Sequence, residues 1–112
     1  MIPTMFSDHA SGKSIDEFAA TVARFHPAGF RTMARALAEA DLRDVLPRVR
    51  VPTLLLYGDN DVRAPLDVAT ALRAAIPESR LVVLPGVGHV SSVETPDVFN
   101  QHLRAFLSDA QQ

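Results

Sequence analysis

The chain has 112 residues, of which 47% are hydrophobic, a proportion typical of an ordinary globular domain and not of a disordered chain. Its formal net charge is -2 and its charges are interspersed, so there is no basic stripe and nucleic acid is not an expected partner. The sequence has no cysteine, which excludes disulfides and thiolate nucleophiles.

The sequence contains no pattern that predicts export or membrane insertion. It does not open with a basic segment followed by an apolar run, and no stretch of about 18 apolar residues occurs in it. We therefore expect no membrane partner and a cytoplasmic location.

The first 46 residues are predicted to be mainly helical. Residues 1–13 lack periodicity and contain turn-forming residues, so we expect a loose lead-in. Ser14 and Glu17 have the spacing of a capping box, which predicts a helix beginning at Ser14, with an apolar face of Ile15, Phe18, Ala19, Val22 and Phe25. Pro27 starts a second helix, and Asp41 is predicted to cap a short third turn.

Residues 47–112 alternate strands and helices. Two short apolar runs predict strands, and the first of them, Leu54–Tyr57, lacks alternation in a way that suits a strand buried on both faces. A helical stripe follows each of them. The predicted elements are a strand at Leu54–Tyr57, a helix from Leu66 to Ile76, a strand at Leu81–Leu84 and a helix that starts at Thr95 and Pro96. This order predicts an α/β fold in which a right-handed crossover joins two parallel strands.

Residues that could take part in catalysis follow both predicted strands. Asp59 and Asp61 come after the first strand, and Gly88 and His89 come after the second. Because the carboxyl ends of adjacent parallel strands meet at one edge, we expect a carboxylate to meet the imidazole there. Such a pair orients the histidine and stabilises its charged form. The alternative is structural, since Asp and Gly are common turn residues and a single histidine in a loop is more often incidental than catalytic.

Three segments together resemble the last two strands and the final helix of α/β-hydrolase-fold enzymes. They are Val51–Asp61, Leu84–His89 and Glu94–Asn100, and the resemblance covers roughly residues 45–109. The helices of residues 14–46 are similar to the end of the lid region in that family. The resemblance therefore implies a helical lid or cap remnant in residues 1–46 and the C-terminal part of a hydrolase core in residues 47–112.

The resemblance also implies roles for individual residues. Asp61 matches the acid of the family's catalytic triad and His89 matches its general base. Asp59 is the fallback acid, although a turn or solvent role suits it better. The resemblance implies no cofactor and no metal. Non-catalytic roles are expected for His9, His26, His102, Asp67, Ser91 and Ser92.

The nucleophile of such a triad is not recognisable in the sequence. The family places it in Gly-x-Ser-x-Gly, and the nearest segment, Gly12–Asp16, has Asp where the second glycine belongs. Its Gly-Lys-Ser triplet is similar to a phosphate-binding loop, but Ser7 stands where the upstream glycine is required. In the family order of Ser, Asp and His, the nucleophile would precede Met1.

Two classes of function follow. In the first, the chain is the C-terminal portion of a hydrolase that acts on ester or related acyl bonds of small molecules and needs an N-terminal hydrolase portion. In the second, it is a non-catalytic association module, or a truncated pseudoenzyme, that dimerises through its open sheet edge. The same framework also supports lactonases, dehalogenases and haloperoxidases, so the substrate stays open. Lid residues form either an acyl pocket or a packed helical face, and the candidates are Phe25, Phe30 and Met33.

Overall fold

A computed structural model describes residues 2–111 of the chain. The segment is built from two strands, five α-helices and two short 3-10 helices. In chain order these are a 3-10 helix at Ile2–Met5, α1 (Gly12–Ala23), α2 (Pro27–Glu39), a 3-10 helix at Leu46–Arg48, β1 (Thr53–Gly58), α3 (Leu66–Ala75), β2 (Ser79–Leu84), α4 (Ser91–Glu94) and α5 (Pro96–Ala110). None of the helices within residues 2–111 has the length and hydrophobicity that a membrane span requires.

The two strands form a parallel sheet, which confirms the predicted α/β class. Thr53 lies opposite Ser79 at one end of the ladder, and Gly58 lies opposite Leu84 at the other. The crossover helix α3 packs against both strands. The buried hydrophobic residues include Ala69 of α3, Ile76 directly after it and Leu84 of β2. Both strands therefore end at the same edge, where the predicted site residues follow them.

The prediction that the first strand is buried on both faces is wrong for this structure. The residues of β1 from Thr53 to Tyr57 are half-buried, and Val83 in β2 is 39% exposed. Within residues 2–111, each strand has one neighbour only. A sheet of this width leaves an open edge and part of each face uncovered, so strand sequences suited to a fully buried position meet solvent here.

The predicted start of α1 is also wrong. The helix begins at Gly12, and its N-cap is Ser11, whose Oγ accepts the N–H of Ser14 at 3.1 Å. Ser14 therefore lies within the first turn and does not cap the helix. Both serines can cap a helix, and Gly12 and Lys13 are compatible with one additional half-turn, so the upstream serine takes this role.

The predicted starts of α2 and α5 are confirmed, whereas the short turn predicted to be capped by Asp41 is not. Pro27 is the first residue of α2, and the Nδ1 of His26 caps it by accepting the N–H of Gly29 at 3.2 Å. Asp41 does not cap a helix; its carboxylate accepts the N–H of Arg43 at 3.1 Å within a turn. Pro96 begins α5 as predicted, although the side chain of the preceding Thr95 makes no capping hydrogen bond.

The amino-terminal segment is not the loose lead-in that its composition predicts. We call residues 2–9 the strap, and two of its residues, Phe6 and Ser7, are buried. The ring of Phe6 packs edge-on against Phe18 of α1, with ring centroids 5.5 Å apart. Two large aromatic side chains thus anchor a segment that has no periodic apolar pattern. The strap thereby connects α1 with the carboxyl edge of the sheet.

Candidate active site

The turn after β1 is joined to the loop after β2 by backbone hydrogen bonds. Asp59 N donates to the carbonyl of Leu84 at 3.1 Å, and Asn60 N donates to that of Val87 at 2.9 Å. Gly58 is required here, because a Cβ at this position would collide with the backbone of Val87 and Gly88. The absence of a side chain at Gly58 therefore lets the two segments meet.

Asp61 is the buried acidic residue of this edge. Its side chain is 4% exposed. One oxygen, Oδ1, accepts the backbone N–H groups of Arg63 and Ala64, both at 2.9 Å. The other oxygen, Oδ2, lies 2.8 Å from Nδ1 of His89. The structure thus brings together the two residues that the strand-end pattern singled out, and it holds the carboxylate in one orientation.

The environment of Asp61 favours its ionised form. Burial pushes the pKa of this carboxyl upward, but the hydrogen bonds from Ala64, His89 and Arg63 and the charge of His89 outweigh burial, and the pKa is lowered. Burial, together with the nearby charge of Asp61, raises the pKa of Tyr57. A carboxylate at neutral pH therefore faces the imidazole, while the neighbouring phenol keeps its proton.

His89 takes its tautomer from this contact. An ionised carboxylate only accepts hydrogen bonds, so Nδ1 carries the hydrogen of the neutral ring and donates it to Asp61. The other ring nitrogen, Nε2, then has a free lone pair. The His89 side chain is 35% exposed, which leaves the imidazole open to a further group. The arrangement can accept a proton at Nε2 and compensate the resulting charge through Asp61.

The Asp59 carboxylate binds the turn after β2, whereas His89 is bound by Asp61. Oδ1 of Asp59 accepts the N–H of Gly86 at 2.6 Å. Gly86 has a φ of 70°, a backbone conformation that favours glycine. The Asp59 carboxylate therefore braces the turn after β2, which fits the structural role expected for it and gives no support to its use as the acid.

The other sequence candidates are placed outside the pair. Among the contacts found within residues 2–111, none joins their side chains to Asp61 or His89. Ser14 lies in the first turn of α1, and Ser91 is buried at the start of α4. The remaining ones are His9, next to Gly86, His26 at the start of α2, Asp67 in α3, Ser92 in α4 and His102 in α5.

Sequence reasoning missed Glu94. Its Oε2 accepts the N–H of Gly88 at 3.0 Å and that of Ser7 at 3.2 Å, and its Oε1 accepts the hydroxyl hydrogen of Ser7. Glu94 stands at the end of α4, a helix that the sequence analysis did not predict. No local pattern signals this contact, because Ser7 and Glu94 are 87 residues apart.

The structure has one groove beside the candidate site and another along α2. One, of about 460 Å³, runs between the strap and the turn after β1, and Asp61 lies in its wall. The second, of about 270 Å³, lies along α2 and is lined by the predicted lid residues Phe25, Phe30 and Met33. Within the described part of the chain, no three histidine or acidic side chains gather in a way that would hold a metal ion.

Comparison with known proteins gives a consistent result. The model of the family described as TAP-like protein, of the α/β-hydrolases, matches residues 38–112. The RutD protein of Azorhizobium caulinodans, whose name refers to carbamate hydrolysis, is 38% identical over 72 residues, which are 64% of this chain and 27% of that protein. A pimeloyl-[acyl-carrier protein] methyl ester esterase of Nitrosomonas europaea is 36% identical over 73 residues, or 65% of this chain and 29% of the esterase.

Solved structures show the same relationship. A thermophilic esterase from Thermogutta terrifontis matches 100% of this chain with a TM-score of 0.93 and 29% identity, and the match covers 43% of the esterase. An esterase from Exiguobacterium antarcticum matches 96% of the chain with a TM-score of 0.88 and 26% identity, over 40% of its own length. The chain thus spans less than a third of the two curated relatives and less than half of these solved structures.

Proposed function

Because this chain belongs to the α/β-hydrolase family, we propose that it supplies the acid and the general base of a hydrolase acting on ester or related acyl bonds of small molecules. Asp61 is the acid and His89 is the base. In this proposal residues 1–46 belong to the lid and residues 47–112 to the core. The nucleophile and the oxyanion hole come from polypeptide outside these 112 residues, because the sequence contains no Gly-x-Ser-x-Gly segment.

The observation that carries the proposal is the contact of 2.8 Å between Oδ2 of Asp61 and Nδ1 of His89. The carboxylate fixes the hydrogen on Nδ1 and leaves Nε2 as the acceptor. A nucleophile hydroxyl next to Nε2 gives up its proton there as it attacks the acyl carbon, and the leaving group then takes this proton. Asp61 stabilises the imidazolium between the two transfers.

The related proteins guide the choice of substrate class. Both solved structures described above are esterases, and one curated relative is named for a methyl ester. The RutD name refers to carbamate, which also contains an acyl carbon bonded to a leaving group. Attack on an acyl carbon is common to these substrates, so we assign the chain to acyl-bond hydrolysis without choosing the acid or the alcohol.

The proposal is tested in a hybrid enzyme. The chain is fused behind the N-terminal portion of one of the structurally similar esterases, and hydrolysis of an activated phenyl ester is measured for the fusion and for the 112 residues alone. We expect turnover in the fusion only, and its loss in the His89→Ala variant. His102→Ala, a histidine substitution in α5, is the matched control and should keep the activity. A fusion that folds and is inactive, or a His89→Ala variant that retains full activity, contradicts the assignment.

A second candidate function rests on the unpaired side of β1. Within residues 2–111, β1 pairs only with β2, and an open, half-buried strand edge is a template for a second chain. In this case the 112 residues form a dimer by edge pairing and are not catalytic. Sedimentation equilibrium of the chain distinguishes the two functions, since a stable dimer that persists at micromolar concentration favours edge pairing, and a monomer rejects it.

A further inference from the structure

The loop that carries His89 is held through every second peptide N–H. The N–H of Gly86 is bound by Asp59, that of Gly88 by Glu94, and that of Val90 by the carbonyl of Met5 at 3.1 Å. The last two anchors flank His89 directly. The orientation of the imidazole is therefore set by Asp61, while the position of the backbone from which it extends is set by Glu94 and the strap.

Glu94 binds both the Gly88 peptide and the strap. Its Oε2 holds the N–H of Gly88 and the N–H of Ser7, and its Oε1 holds the Ser7 hydroxyl. One carboxylate thus ties the residue before His89 to the strap with three hydrogen bonds. Because the three hydrogen bonds end on one side chain, they fix Gly88 and Ser7 relative to each other.

The strap is itself held by several contacts. A Cβ on Gly88 would lie 2.7 Å from the backbone of Phe6 and Ser7, so the two backbones are already in close contact. Phe6 is buried against Phe18, and the guanidinium of Arg63 donates to Thr4 Oγ1 at 3.1 Å. The strap is therefore attached both to α1 and to the turn that carries Asp61.

We propose that Glu94 is a positioning residue for His89, and that its hydrogen bonds to Gly88 and Ser7, which we call the clamp, hold the loop that carries His89. Glu94 holds the Gly88 peptide so that Nδ1 of His89 meets Asp61 and Nε2 faces the nucleophile. The importance of this position for catalysis rests on the proposed function. A displacement of about 1 Å in an active site costs roughly 10²-fold in rate, so a contact outside the reacting atoms has a large effect.

The first test uses the 112-residue chain and needs no nucleophile. The Nδ1–H proton of His89 is observed by NMR in the chain labelled with ¹⁵N at histidine, and is identified by its loss in His89→Ala. We expect its solvent exchange to be about tenfold faster in Glu94→Ala, the factor that corresponds to the loss of the one hydrogen bond that holds the Gly88 peptide. Glu94→Gln keeps an oxygen for the two N–H groups, and should largely restore slow exchange.

Glu78→Ala is the matched control, because Glu78 is an exposed glutamate in the turn immediately before β2. It should leave the exchange of the His89 proton unchanged. Wild-type exchange in Glu94→Ala overturns the inference. If Glu94→Ala does not fold, Ser7→Ala decides, since it removes only the hydroxyl contact: faster exchange supports the clamp, and unchanged exchange overturns it.

The second test uses the active fusion. Glu94→Ala should lower kcat by about 10- to 100-fold with KM nearly unchanged, because the substituted residue moves the base and does not touch the substrate. An inactive wild-type fusion counts against the proposed function and leaves the NMR result standing. An active fusion in which Glu94→Ala changes neither kcat nor the exchange of the His89 proton counts against the clamp alone.

Discussion

The replacement Asp61→Asn removes the negative charge of the buried carboxylate and keeps the size and shape of the side chain. Oδ1 of the asparagine can still accept the N–H groups of Arg63 and Ala64, but the amide nitrogen next to His89 donates a hydrogen bond. Nδ1 then becomes the acceptor, and the hydrogen of the neutral ring moves to Nε2. A base that already carries a hydrogen at Nε2 cannot accept one there, so kcat of the fusion should fall by a factor on the order of 10⁴.

The same replacement has a measurable effect on the stability of the chain alone. Three hydrogen bonds end on the Asp61 carboxylate, at 2.9, 2.9 and 2.8 Å. A hydrogen bond to a charged group contributes about 1 kcal/mol more than a neutral one, which amounts to roughly 3 kcal/mol in total. Part of this is recovered, because burying a neutral amide costs less than burying a charge. We expect a net loss of about 1 to 2 kcal/mol in the free energy of unfolding at pH 7.

The difference between wild type and variant should depend on pH. The pKa of Asp61 is lowered in the folded chain, so its contribution is present above the unfolded pKa of about 3.9 and is lost as the pH falls through the folded pKa. Urea unfolding from pH 7 down to about pH 3 measures this, with Asp67→Asn as the control for removal of a carboxylate from a helix surface. A gap between wild type and Asp61→Asn that is as large at pH 3 as at pH 7 would refute the reasoning.

Three further predictions concern the scaffold and are tested by urea unfolding. Gly58→Ala should lower the free energy of unfolding by about 1 to 3 kcal/mol or prevent folding, because its Cβ would meet the Val87 backbone. Gly12→Ala has free space around its Cβ and should be neutral or stabilising, and equal stability of the two variants contradicts this reasoning. Leu84→Ala should lower the free energy of unfolding by about 2 to 5 kcal/mol and Val83→Ala by much less, because Leu84 is 1% exposed and Val83 is 39% exposed. The reverse order of the two losses would show that β2 presents its other face to the core. Ser11→Ala should lose about 1 kcal/mol, and no loss would mean that Ser11 does not cap α1.

The sheet and the pair at its edge could be predicted because their signals are local. The two apolar runs are each closed by turn residues, and the helical stripe between them requires a crossover. Asp61 and His89 both follow a strand end, so the rule that parallel strands end at one edge was sufficient to bring them together. The structure added the orientation of the carboxylate and the separate role of Asp59, which depend on single hydrogen bonds that no spacing encodes.

The strap and its clamp could not be predicted for a physical reason. Phe6 and Ser7 are buried by contacts with residues that are distant in the sequence, and short segments of this kind show neither a helical nor a strand period. Glu94 acts on backbone N–H groups, which every residue except proline offers, so its partners leave no mark in the sequence. The start of α1 was misplaced for a different reason, since two nearby serines can each cap a helix and the one without a capping-box glutamate takes this role.

The spacing of the hydrogen bonds around His89 also has a consequence for the order in which they form during folding. The Asp61–His89 contact closes a segment of 28 residues within a single strand, helix and strand unit, whereas the contact of Glu94 with Ser7 spans 87 residues. Closing the longer segment costs more chain entropy, and contacts between distant residues form more slowly. We expect pulsed hydrogen exchange to detect protection of the β1 and β2 amides before that of Ser7, and simultaneous protection would contradict this order. Asp61 and His89 are then joined first, and the strap docks beside them as one of the last steps of folding.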